Sequence, residues 1–262
     1  MTNPYPESNT PEEKLAEANA FSQGYYSPGV FEWWTEHPYR AWTLRHIMPY
    51  LDLYDSIKVL EPACGCGVNL ANLHSRFPNC ECTGVELSPQ GVEVARECAP
   101  GDYRCGDAEN LPVADESQDL VLCIAAVHHF RDPRRFLFEC VRVLKPHGYL
   151  YLFEPHGAGL ELTEEQEQRA EEVRESIRAA NKGQPGPPST GCVRAATEVP
   201  FDLEAVALSL QSLDMIPVET GHSEYLSEWA RGYKVGWESA ANFDMTLDGG
   251  TKFYGVYERR GT

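Results

Sequence analysis

From residue 57 onward, short β-branched runs alternate with segments of helical period, and this alternation constrains the fold more than any other feature of the chain. Strands separated by helices pair in parallel, and the helices must then cover the sheet. The spacing predicts strands near 57–61, 80–86, 102–105, 119–124 and 149–154, a further strand near 215–220, and a closing one in "TKFYGVYERR". The best-marked helix is "DPRRFLFECVRVLKP". Asp132 is a good N-cap, Pro133 fits the first turn, and Phe136 or Leu137, Cys140 and Leu144 make an inward stripe. Lys145 suits the helix C-terminus and Pro146 stops it. A second helix is expected over about 203–213. The expected fold is therefore α/β: a doubly wound, mostly parallel seven-stranded sheet with helices on both faces.

Two regions stand outside this pattern. The start, "MTNPYPESNTPEEK", is polar and Pro-rich and is expected to be loosely ordered. Residues 21–50 are dense in aromatic rings, among them Tyr25, Tyr26, Trp33 and Trp34. Most of these rings should pack a helical segment onto the sheet, while a few on a lid would make walls for a substrate. After the fifth strand, residues 156–200 form an insertion: a mostly solvated helix opened by a Thr163/Gln166 capping box, then the Gly/Pro stretch "GQPGPPSTG". The chain is thus read as a tail and aromatic helical lid (1–50) and a main domain (51–262) with an insertion at 156–200.

With 262 residues, 42% of them hydrophobic, the chain can bury a full core. Forty acidic against 22 basic residues leave a formal charge of −18, which makes nucleic acid a disfavoured partner. No apolar stretch approaches the length of a membrane span and no leader pattern opens the chain, so a cytoplasmic protein without a membrane partner is expected. The nine cysteines are odd in number, and reduced thiols are the expectation.

The first strand ends in "VLEPACGCGVNL". Small residues at 63, 65 and 67 let backbone amides approach a ligand that a Cβ would push away. A dinucleotide fingerprint wants a third glycine where Leu70 stands, which weakens a pyrophosphate reading. Glu86 ends the second strand nineteen residues after Gly67, the spacing at which a carboxylate accepts both hydroxyls of a ribose. The ligand therefore looks like a nucleoside without a pyrophosphate. Cys64 and Cys66 are separated by one residue where zinc pairs prefer two to four. Cys80 and Cys82 begin the second strand at the opposite sheet edge, about 15 Å away for a five-residue strand. No metal is expected, and the two loop cysteines read as compact fillers.

These motifs resemble the class I S-adenosylmethionine-dependent methyltransferases, and more narrowly their type 11 branch, over roughly residues 57–155. "VLEPACGCG" is similar to the family's first motif, with Glu61 for Asp and Ala63 for the first Gly. "GVELSP" matches the ribose-binding motif through Glu86, and "GDAENLPVADESQDLVLC" matches the adenine segment. "VHHFRDPRRFLFECVRVLKPHGYLYLFEP" matches the next strand–helix–strand unit, with His147 where Gly is usual. The resemblance implies a Rossmann-like fold and S-adenosylmethionine as cofactor. It would be held by Glu61, Ala63, Cys64, Gly65, Gly67, Glu86, Leu87, Asp107, Ala108 and Cys123.

Acceptor sites in such folds lie beyond the C-terminal ends of the fourth and fifth strands. In this sequence that points to His128, Phe130, Glu154 and Tyr225, with the lid rings Tyr25, Tyr26, Trp33 and Trp34 above them. A general base is expected among His156, His129 and His222, with His156 preferred because it follows Glu154 and Pro155 at the strand end. The expected reaction is methyl transfer to a small molecule. A tRNA enzyme of the wobble-uridine type and a cofactor-binding protein without chemistry are the alternatives. Exposed lid helices would allow a homodimer across a two-fold axis.

Overall fold

Ile57 and Val59 of the first strand face one side of a sheet and Leu60 the other, and all three are buried. The same division recurs along the fourth strand, where Leu120, Leu122 and Ile124 face one core and Val121 and Cys123 the second. Both faces of these strands are covered, as continuous apolar runs demand. In the computed structural model, which describes residues 10, 12–14, 16, 18, 26–36, 44–51, 55–130, 132–155, 203–223 and 252–261, the sheet has seven strands. They are β1 (Ile57–Pro62), β2 (Cys80–Glu86), β3 (Asp102–Cys105), β4 (Gln118–Ile124), β5 (Leu144–Pro155), β6 (Met215–Ser223) and β7 (Lys252–Arg259).

The strand order is β3-β2-β1-β4-β5-β7-β6. β1 pairs in parallel with both β2 and β4, β2 with β3, and β4 with β5, whereas β7 runs antiparallel between β5 and β6. The chain leaves β1 in one direction and returns at β4 in the other, which opens a crevice at the carboxyl ends of these two strands. Helix α1 (Pro28–Glu36), α2 (Val68–Arg76) and α3 (Pro89–Cys98) lie on one face, with Phe31, Leu70, Leu73 and Val92 in its core. Helix α4 (Pro133–Val143) and α5 (Leu203–Ser212) cover the other through Phe136, Leu137, Val206 and Leu210. Each fully buried side chain of this kind contributes roughly 1.5–3 kcal/mol.

Helix α4 begins as its sequence dictates: the Asp132 side chain accepts from the Arg134 amide and Pro133 occupies the first turn. Its end differs from expectation. The helix stops at Val143, because Leu144 is already extended (φ −70°, ψ 137°) and opens β5. Lys145 is thus no helix-terminal residue, and its ammonium pairs instead with Asp119 Oδ1 at 2.7 Å. Regular pairing of β5 with β4 breaks after Leu144 and resumes at Tyr149, which is where the apolar alternation places the strand. In the irregular stretch His147 adopts φ +64°, a conformation that explains the glycine usual there, and its ring meets Glu258 Oε1 at 2.9 Å.

Near the start, Thr10 and residues 12–14 depart from expectation, while residues 1–9 and 11 lie outside the described residues. Thr10 and Glu13 form a reciprocal capping box: the Thr10 amide donates to Glu13 Oε2 (2.8 Å) and the Glu13 amide to Thr10 Oγ1 (3.2 Å). The described residues between 12 and 18 are helical. At the far edge, β6 carries Pro217 between the exposed Ile216 and Val218, with a register irregularity at 217–219. Among the described residues no helix is long and apolar enough to cross a membrane.

Gly84 in β2 lies under the Tyr103 ring, so that an added Cβ would come within 2.5 Å of that ring and 2.6 Å of Cys64 Sγ. Both neighbours are buried and neither has room to move. Gly84→Ala should therefore lower stability by about 1–3 kcal/mol or more, read as a lower urea midpoint at unchanged m value.

Candidate active site

The loop after β1 holds Ala63, Gly65 and Gly67 at φ +56°, +56° and +79°. Gly67 precedes α2 and is required twice: by its left-handed backbone and by the Tyr103 ring, which would lie 2.9 Å from an added Cβ. Ala63 takes the same kind of backbone with a Cβ, so this replacement carries a strain of about 1–2 kcal/mol. The loop is tied down by Cys64 N donating to Val85 O (3.1 Å) and by Gly65 N donating to Glu86 Oε2 (3.0 Å).

Glu86 organises the crevice. Its other oxygen accepts from the Ser88 amide (2.9 Å), and Ser88 in turn caps α3 by accepting from Gly91 N. Burial pushes the carboxyl upward from its ordinary pKa, against the Ser88 and Gly65 amides and the nearby His129, which hold it down. A cleft of ≈ 200 Å³ opens beside it, lined on one side by Glu86, Leu87, Asp107 and Ala108 and on the other by Ala125, Ala126, His129 and Phe130. Lys14, Ala18 and Tyr26 close over it. The Tyr26 ring lies 3.3 Å from where a Cβ on Gly65 would stand and 3.1 Å from one on Gly91.

Asp107 Oδ1 accepts from the Glu109 amide (2.9 Å), and Oδ2 accepts from Lys14 Nζ (2.6 Å). Lys14 also contacts the buried Glu109 carboxylate. At the end of β5, Glu154 is completely buried: Oε1 accepts from the Ala126 and Val127 amides, both at 2.8 Å, and Oε2 meets His128 Nδ1 at 2.9 Å. The His128 and His129 rings meet at a tilt of 38° with centroids 4.2 Å apart. Phe130 stacks on Phe136 at 4.3 Å, which anchors the turn to α4.

Of the sequence-derived candidates, Ala63, Glu86, Leu87, Asp107, Ala108, Tyr26, His129 and Phe130 converge on the cleft. Cys123 does not line it. The fourth strand turns this side chain into the core beneath α4. Cys64 faces Gly84 in the opposite core, where burial drives its thiol pKa well up, and it serves as a filler. Glu61 is buried, with Oε1 accepting from Asn69 Nδ2 at 2.5 Å. His222 lies on β6 opposite Phe253, which pairs with Glu154, so its backbone is two strand spacings, about 10 Å, from β5. Trp33 and Trp34 belong to α1. Tyr25, His156, Tyr225 and the 156–200 insertion fall outside the described residues. Sequence reasoning missed Lys14, Ala18, Ala125 and Ala126. The "TPEE" capping box was the available signal for the first two.

A buried carboxylate at the end of the second parallel strand, a left-handed small-residue loop beside it and an acidic turn after the third are the features expected of a nucleoside site in an α/β domain. Residues 60–152 match the family model described as "Methyltransferase domain", which supports a class I methyltransferase over this part of the chain. The phthiotriol/phenolphthiotriol dimycocerosates methyltransferase of Mycobacterium tuberculosis is 44% identical over 95 residues, covering 35% of each chain. The demethylmenaquinone methyltransferase of Thermotoga maritima is 39% identical over 98 residues, 37% of this chain and 43% of its own. The match spans well under half the length of these curated relatives. A SAM-dependent methyltransferase from Methanosarcina mazei shares the fold, with a TM-score of 0.54 at 17% identity over 82% of this chain and 98% of that one.

Replacing Glu86 with Ala removes a charged acceptor and the anchor of Gly65. Affinity for S-adenosylhomocysteine should fall about ten- to a hundredfold by calorimetry. Because the ionised carboxylate is the form that accepts hydroxyl donors, affinity should also weaken on acidification, beginning above the ordinary carboxylate range.

Proposed function

We propose that the chain transfers a methyl group from S-adenosylmethionine to a small-molecule acceptor by in-line displacement. The observation that carries this reading is Glu86, a buried carboxylate held by the loop amide of Gly65 and lining the cleft. Glu86 would hold the ribose diol, while Leu87, Asp107 and Ala108 would hold the base. This donor set fits the cofactor: carboxylates face hydroxyl and amino donors, and a Cβ at position 65 would crowd Tyr26 across the loop. When bound, S-adenosylmethionine supplies an electrophilic methyl on a positively charged sulfur.

The chain's own contribution is positioning, exclusion of water and, for an acceptor that carries a proton, a base. His129, one of the three histidines expected to include a base, lines the cleft and is the candidate. Its neighbour His128 meets the buried Glu154 carboxylate, which the Ala126 and Val127 amides hold in place, and so fixes the turn that carries His129.

Both curated relatives are named for small-molecule acceptors, and the charge of −18 opposes a polyanion such as tRNA. Labelled methyl transfer offered to metabolite extracts and to bulk tRNA is the test. Label should enter the small-molecule fraction; comparable transfer into tRNA would favour the nucleic-acid reading, and binding without transfer a protein that does no chemistry. His129→Ala should lower turnover at saturating cofactor by roughly 10²–10⁴.

A further inference from the structure

Lys14 reaches Asp107, in the cleft wall, across 93 residues of sequence, and meets the Glu109 carboxylate beside it. The Glu109 side chain is only 4% exposed. A carboxylate so buried needs a counterion, and Lys14 is the one cation that meets it among the described residues. Asp107 turns the pair toward a common point by accepting the Glu109 amide, so one ammonium bridges both.

The other side of the contact is equally specific. The capping box at Thr10 and Glu13 starts the helical turn, and the Lys14 amide closes it by donating to Thr10 O at 3.0 Å. Ala18 follows one turn later on the same face, is buried, and lines the same cleft as Lys14. The Lys14–Ala18 face is therefore a wall of the cleft rather than a neighbour of it. Burial pulls the Lys14 pKa down, but the two carboxylates outweigh it and the net shift is upward, so the bridge stays charged at neutral pH.

Resting on the cofactor reading above, we propose that Lys14 is a cofactor-retaining residue, fastening the N-terminal helical turns over the base end of the cleft through Asp107 and Glu109. A nucleoside held by Asp107, Ala108 and Leu87 then lies beneath the Lys14–Ala18 face and leaves only when that face lifts. The bridge is present with and without ligand, so its loss eases opening in both states. With a nucleoside beneath it the loosened face also gives up its contacts with that ligand, so the dissociation rate rises more than the association rate. The bridge is electrostatic, so added salt weakens retention.

The test compares Lys14→Met, Lys14→Arg and the double variant Lys14→Met/Glu109→Gln, using S-adenosylhomocysteine in stopped-flow and calorimetry. Lys14→Met should raise the dissociation rate and Kd about tenfold or more, and Lys14→Arg should stay within about threefold of the wild type. The double variant removes the buried unpaired charge, so it should recover thermal stability while retention remains weak. Wild-type Kd and dissociation rate in the double variant would overturn the proposal. So would tighter binding by Lys14→Met, the sign of a lysine that competes with the ligand for Asp107. Amide exchange without ligand separates this proposal from the cofactor reading. Residues 12–18 should be protected in the wild type and lose protection in Lys14→Met, and unchanged protection would overturn the bridge. Absence of any wild-type binding would strike the cofactor reading itself.

Discussion

Main-chain amides donated to buried carboxylates organise the carboxyl edge of the sheet. Glu86 takes Gly65 N and Ser88 N, and Glu154 takes Ala126 N and Val127 N. Each side chain therefore fixes the path of a loop that leaves a neighbouring strand: the glycine loop after β1 in one case, the histidine turn after β4 in the other. A carboxylate satisfied by backbone donors tolerates burial that would otherwise neutralise it. Glu86 also lines the cleft and Glu154 also meets the His128 imidazole, so the two carboxylates tie both loops to the same edge.

Much of the sheet was legible because apolar alternation is a local signal. β2 and β3 fall on their expected residues, and β1 and β4 are extended by one. The regular part of β5 starts at Tyr149, where the pattern places it. What escaped the sequence depended on partners far along the chain. Lys145 reads as a helix-terminal cation until Asp119 is seen beside it, and nothing in "EPH" announces that Glu154 turns to His128 rather than to its own neighbours. Cys123 follows the family motif in sequence, yet strand alternation points it into the core. The described residues from Thr10 to Lys14 were misjudged for a different reason. Their polarity suggests disorder, but a four-residue capping box and one lysine with two carboxylate partners, one of them buried, outweigh composition.

The fold tolerates backbone strain at its loops. Ala63, Ala125 and His147 all carry positive φ. Two of the three sit in the cleft wall, where a side chain larger than methyl would intrude on a ligand and a glycine would leave the loop freer. Alanine is a compromise between these demands. His147 lies at the opposite end of its strand, and its contact with Glu258 ties the irregular turn to β7.

The outer strand β6 has a consequence for how copies of this chain meet. An open sheet edge invites another chain to continue the ladder, and the exposed Ile216 and Val218 would reward such an addition with buried apolar surface. Pro217 stands between them without an N–H to offer, and the register irregularity that follows bends the strand out of line. Among the described residues the sheet is thereby terminated rather than merely ended, and strand-on-strand growth is opposed at its β6 edge.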